Sequence, residues 1–236
     1  MGPVRPSHNT GEEHGMTRIH GVPERKTNLL GRFAYRFSRH RFGDVPGGTA
    51  MSVGRLPDFA LDATRPLGER FAALGIRDYH DAARHVRSLP YGRTSDRSDR
   101  RLVLGEGRGT CSTKHALLAE LARENGRRVA LVMGVYEMDG TNTPGVGAVL
   151  RRDGLSRIPE AHCYLVHGGV RVDVTREGGG EQVQRFLHEE EIEPCQIGAY
   201  KVEAHKAFVR RWAEERGLDP GRVWRVREEC IAALTV

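Results

Sequence analysis

What this chain has little of narrows it first. No run of about eighteen consecutive apolar residues occurs, so no membrane-spanning helix is expected. The first 21 residues carry charges and histidines but no apolar stretch of the secretion-signal kind, and a cytoplasmic location is the expectation that follows. Cysteine is sparse. Cys111, Cys163, Cys195 and Cys230 form no CxxC pair, which argues against a zinc ribbon or a thioredoxin-type redox site and for reduced thiols rather than a disulfide framework. Lysine is scarcer still for so basic a chain: of 37 basic residues only Lys26, Lys114, Lys201 and Lys206 are lysine, and arginine carries the net charge of +6. An arginine bias of this kind often reflects a GC-rich genome. No nucleic-acid-binding module accompanies it, so specific nucleic-acid binding is not expected. The densest basic stretch, residues 32–42, interleaves arginines with aromatics, and Phe33, Phe37 or Phe42 are expected to be buried with the arginines left at the surface. No internal repeat is present.

What is there suffices for one generous domain. The 236 residues are 38% hydrophobic, enough to bury a real core. Residues 1–27, rich in Gly, Pro, His and charge, are expected to form a loose extension, and 28–236 a single domain with its core over about 67–176 and a helical part over 181–236. Short helices are predicted from Leu67 to Leu74, closed by Gly75, and from Asp78 to Leu89, closed before Pro90. Tyr91 to Gly109 is polar, arginine-rich and predicted to be loop. The most regular segment follows: from Cys111 to Glu124, Leu117, Leu118, Leu121 and Ala122 recur at helical spacing, with Thr110 or Ser112 to cap the start and Gly126 to stop the end. Strands are predicted over Val129–Val135, Ala161–Val166 and Val170–Val174, the last two joined by the hairpin signal Gly168-Gly169. Helices are predicted again from Ala199 to Arg216 and from Asp219-Pro220 towards Leu234. Helices, then an antiparallel sheet, then helices make an α+β fold.

Three of these residues meet the needs of thiol chemistry. A nucleophilic cysteine needs a field that favours the thiolate, a base within hydrogen-bond reach and a group that fixes the base. Cys111 at a helix N-terminus has the field, and the glycines of Gly105-Glu106-Gly107-Arg108-Gly109 allow close backbone approach and free amides for an oxyanion. With Gly168-Gly169 as a two-residue loop, His162 lies opposite Thr175 and Tyr164 opposite Asp173. His162 and Asp173 then share a face as diagonal neighbours, about 7–8 Å apart at Cα. A one-residue slip would part them. Cys163 should point to the other face, into the core.

The run Gly107-Arg108-Gly109-Thr110-Cys111-Ser112-Thr113-Lys114-His115 resembles the nucleophile helix of transglutaminase-like proteins. Glu160-Ala161-His162-Cys163-Tyr164 resembles their histidine strand, and Val170-Arg171-Val172-Asp173-Val174-Thr175 their aspartate strand. The resemblance covers about residues 100–176. It implies a transglutaminase-like or papain-like core, with a nucleophile helix packed on an antiparallel sheet, and a catalytic triad of Cys111, His162 and Asp173. It implies a peptide or a small amide or ester as substrate, hydrolysis or acyl transfer through an acyl-thioester, and no cofactor. Tyr91, Arg93 and Thr110, just ahead of the nucleophile, are candidates for the substrate wall and oxyanion donors. Where the family often carries aromatics after the histidine and before the aspartate, this chain has Cys163-Tyr164 and Val172.

Two other readings compete. A non-catalytic module on the same fold would hold an anionic partner through the arginine-rich loops. A metal site would draw on Cys111 and His115, four apart on one helix face, with His162 and Asp173. Glu160 and the run Glu189-Glu190-Glu191 read as surface, Trp212 and Trp224 as core of the last helices.

Overall fold

The computed structural model describes residues 1–2, 53–177 and 185–234. The expected extension over 1–27 and the basic segment 32–42 thus lie, almost entirely, outside the described residues. From Val53 onward the chain forms helices α1 (Pro66–Ala73), α2 (Tyr79–Ser88), α3 (Leu102–Glu106) and α4 (Cys111–Glu124). Then come strand β1 (Ala130–Asp139), helix α5 (Gly147–Arg152), strands β2 (Arg157–His167), β3 (Val170–Val172) and β4 (His188–Ile192), and helices α6 (Ala199–Glu214) and α7 (Pro220–Ala233). The four strands make one antiparallel sheet in the order β3-β2-β1-β4. The architecture is α+β. Among the described residues no helix is long and apolar enough to cross a membrane.

Helix α4 is the element the others pack around. Every residue from Cys111 to Ala122 is buried, polar ones included. A helix covered on all sides needs neighbours on all sides, and α4 touches α1, α2, α3, β1 and β2. Its leucines supply the apolar packing, and the Tyr79 hydroxyl donates to the Leu118 carbonyl at 3.0 Å to tie α2 across it. Among the described residues no buried side-chain polar atom lacks a hydrogen-bond partner. Local signals set the helix starts: the carboxylates of Asp78 and Asp219 accept from the Asp81 and Arg222 N–H groups at 2.8 and 2.6 Å and cap α2 and α7.

The structure departs from the sequence reading in several places: helix α5 was not expected, β2 begins at Arg157 rather than Ala161, and the strand expected to Val174 ends at Val172. The loop before Cys111 contains α3, closed by Gly107 at φ 63°, a conformation that favours glycine. The C-terminal part is not all helix: Glu189-Glu190-Glu191 lies in β4, an edge strand paired with β1, where Glu189 bonds the Tyr164 hydroxyl and Arg171 and Glu191 bonds Arg128. Glutamate favours helix in isolation, and partnered carboxylates on a sheet edge override that preference. Strand β1 runs four residues past its apolar stretch, to Asp139. Glu160 is buried, 6% exposed, because Arg227 of α7 binds both its oxygens at 2.6 Å.

Gly109, the last glycine before the nucleophile helix, is held by backbone bonds to Pro90 and Gly92. A Cβ there would sit 2.9 Å from Lys114 Cγ and 3.0 Å from Thr113 Oγ1 and Val103 Cγ2. Lys114 is pinned and cannot yield. Gly109→Ala should therefore cost about 1–3 kcal/mol in urea unfolding, through overpacking at the start of α4; an unchanged midpoint would show that the turn has slack.

Candidate active site

Cys111 is the first residue of α4. Thr110 holds the extended cap position at φ −85° and ψ 173°, and its N–H donates to Thr113 Oγ1 at 2.9 Å. The next amides belong to the first turn, whose N–H groups a helix leaves without internal partners, so positive potential gathers at the sulfur.

The hairpin delivers the other two residues. Gly168 and Gly169 have φ of 55° and 76°, the two-residue turn that matches strand twist. The register pairs Leu165 with Val172, Val166 with Arg171 and His167 with Val170, as the two-residue loop requires. Pairing ends at Val172, and Asp173 follows beside β2. His162 Nε2–H donates to Asp173 Oδ2 at 2.6 Å, which leaves Nδ1 as the ring nitrogen for Cys111. Asp173 Oδ1 accepts from the Thr175 N–H and hydroxyl at 2.8 and 2.5 Å. Each oxygen of the carboxylate thus has a fixed task.

Two further residues of the first turn of α4 grip the segment that carries Asp173. His115 is fully buried. Its Nε2 accepts from the Val174 N–H at 2.8 Å, so its Nδ1 carries the proton and donates to the Cys111 carbonyl at 2.7 Å. Burial pushes its pKa down to about 4, so it is neutral. With both ring nitrogens on backbone groups it is not turned to a metal, and the set Cys111, His115, His162 and Asp173 is not assembled. Among the described residues no group of His, Cys, Asp or Glu is arranged to hold a metal ion. Lys114, also fully buried, donates to the carbonyls of Leu89 at 2.5 Å, Thr175 at 2.7 Å and Arg87 at 3.4 Å. Burial lowers its pKa to about 8.

The charges interlock. Burial alone would raise the Cys111 thiol, but the charges of His162 and Lys201, a hydrogen bond from His162 and the Cys163 N–H outweigh it and bring the thiol down to about 6. Burial alone would lower His162, but Asp173 and Cys111 raise it well above its ordinary 6.5. Burial would likewise raise Asp173, but His162 holds it well below the usual carboxylate range. These shifts all favour a thiolate beside an imidazolium, with a carboxylate behind.

Cys111, 8% exposed, lines a narrow cleft of about 70 Å³. Tyr91, Arg93 and Thr110 all line it. Tyr91 is kept a protonated phenol by burial and by the nearby sulfur, under the Arg176 guanidinium 4.6 Å from its ring centre. Arg93 is drawn to Glu228 at 2.8 Å. The sequence reading missed Lys201, whose ammonium donates to Ser112 Oγ at 2.8 Å and the Ala161 carbonyl at 3.0 Å. It also read Glu160 as surface and Trp224 as core; both line this cleft. No local signal finds Lys201: lysine is rare in this chain, but Lys206, one turn and a residue further along α6, is an exposed side chain paired with Glu203.

Comparison with protein-family models, with curated proteins and with solved structures finds no match to this chain.

The lowered thiol fixes a pH dependence. A depressed pKa moves the onset of thiolate reactivity to acid, so iodoacetamide alkylation of Cys111 should reach half its maximal rate near pH 6 rather than at an ordinary thiol's 9.0. Peptide mass spectrometry separates it from exposed Cys195; a Cys111 profile that rises only in alkali would remove the ion pair.

Proposed function

We propose that this chain is a thiol enzyme that breaks or exchanges an amide or ester bond of a peptide or small substrate through an acyl-thioester on Cys111. The observation that carries the reading is the ordered set Cys111, His162 and Asp173, with thiol and imidazole titrating towards each other and the carboxylate bonded at 2.6 Å. The order in the chain, a nucleophile at a helix start and a base and orienter on an antiparallel hairpin support the transglutaminase-like resemblance and the core it implies.

The steps follow from the resting charges. The Cys111 thiolate attacks the carbonyl carbon, an S–C bond forms, and the carbonyl π pair moves to oxygen. That pair returns as the C–N or C–O bond breaks, and the leaving group takes the proton of imidazolium His162. Water then attacks the thioester, gives its proton to His162, and releases the acid and the thiolate; an amine in place of water gives transfer. Water is always at hand, so hydrolysis is the first expectation. Asp173 keeps the imidazole turned and stabilises its cation without taking the proton. A non-catalytic module that holds an anion accounts for Arg93 and Arg97 in the cleft but leaves the His162–Asp173 bond and the acidic thiol without a purpose.

Incubation with a library of amides and activated esters should yield a mass adduct on the Cys111 peptide. Cys111→Ala should abolish turnover with folding intact, and Asp173→Asn should lower kcat on the order of 10²–10⁴-fold. Turnover of the same substrate by Cys111→Ala at the wild-type rate would refute the nucleophile.

A further inference from the structure

Lys201 comes from an element that lies outside the resemblance altogether. It stands in the first turn of α6 and reaches back to Ser112, the residue after the nucleophile, and to Ala161, the residue before the base. Its charge acts on Cys111, whose thiol it helps to lower. An ammonium has three N–H donors; two are bound to these neutral oxygens, and among the described residues no hydrogen-bond partner takes the third on this cleft-lining side chain. Glu160, the buried carboxylate that feels this charge, is held by Arg227 through both oxygens. The titratable groups that feel the sulfur are His162 and Cys163 from β2, Tyr136 from β1, Lys114 on α4, Tyr91 ahead of it and Lys201, with Asp173 behind His162. Arg93, Arg97, Glu160, His205 and Arg227 line the same cleft. Of the cations, His162 must release its proton to the leaving group, Lys114 is bound to three carbonyls, and Arg93 and Arg227 are held by Glu228 and Glu160.

We propose that Lys201 is a catalytic residue of this site, which holds the Cys111 thiolate before attack and donates its third N–H to the oxyanion of the tetrahedral intermediate. The assignment rests on the thiol-enzyme reading. As the S–C bond forms, the π pair on oxygen meets a fixed positive charge and the first amides of α4. As the pair returns, Lys201 keeps its proton throughout. A preorganised donor of this kind acts where charge develops, so its effect belongs in kcat.

The test compares full-length wild type with Lys201→Met, Lys201→Gln and Lys201→Arg. Two probes are used: p-nitrophenyl acetate for acylation of Cys111, and iodoacetamide alkylation against pH, followed on the Cys111 peptide. Lys201→Met should slow acylation about 10²–10³-fold in kcat with little change in KM and move the alkylation profile towards alkali. Lys201→Arg should restore part of both, and Lys201→Gln, which keeps N–H donors for Ser112 and Ala161 but no charge, should restore neither. Rates for Lys201→Met within about twofold of wild type on both probes would overturn the role of Lys201 alone. Full rescue by Lys201→Gln would do the same by making it a neutral anchor. A wild-type Cys111 that reacts no faster than Cys195 would instead overturn the thiol-enzyme reading, and this assignment with it.

Discussion

Helix α4 and the tripeptide Asp173–Thr175 are bound to each other by two side chains of one helical turn, and the site depends on that bond. Asp173 lies beyond the last paired residue of β3, so no strand partner fixes it. His115 takes the Val174 N–H and returns a proton to the Cys111 carbonyl; Lys114 takes the Thr175 carbonyl and two carbonyls at the end of α2. The nucleophile's own helix thereby sets the position of the residue that orients its base. Loss of either side chain leaves buried backbone groups unpaired, at about 1–3 kcal/mol for each.

Charge alternation extends the same order through the cleft. Asp173, His162, Cys111 and Lys201 read as minus, plus, minus, plus, each beside a group of opposite sign. Burial by itself opposes three of these four charges being present, as the shifts of Asp173, His162 and Cys111 show. They persist because each has both a hydrogen bond and a countercharge. A second cluster, buried at Glu160 and open to solvent at Arg93, joins Glu160, Arg227, Glu228 and Arg93, and fastens α7 to β2 beside the cleft. It ties the C-terminal helices to the site and keeps Arg93 from being a free substrate cation.

Much of this was legible because its signals are local. Helix α4 has an apolar period, a cap and a glycine stop, and its bounds in the structure are those the sequence suggests. The Gly168-Gly169 loop sets a register by counting alone, which the paired residues follow as far as Val172. The expected pairing of Asp173 with Tyr164 does not form, and Asp173 meets His162 just past the ladder. The metal set failed for a nonlocal reason: His115 is turned to Val174, 59 residues on. Strand β4 was hidden because its glutamates find Tyr164, Arg171 and Arg128 only in the folded chain. Lys201 was hidden because α6 reaches the site from 89 residues beyond Ser112, and no periodicity encodes that contact.

The account stands or falls on where one proton sits. Side-chain ¹⁵N NMR of His162 near neutral pH reads it directly, with Cys111→Ala as the reference. The account predicts protons on both ring nitrogens in the wild type, the Nε2 proton in its bond to Asp173, and loss of the Nδ1 proton at lower pH in the variant than in the wild type. A neutral imidazole in the wild type, with the same titration in Cys111→Ala, would contradict the thiolate–imidazolium pair.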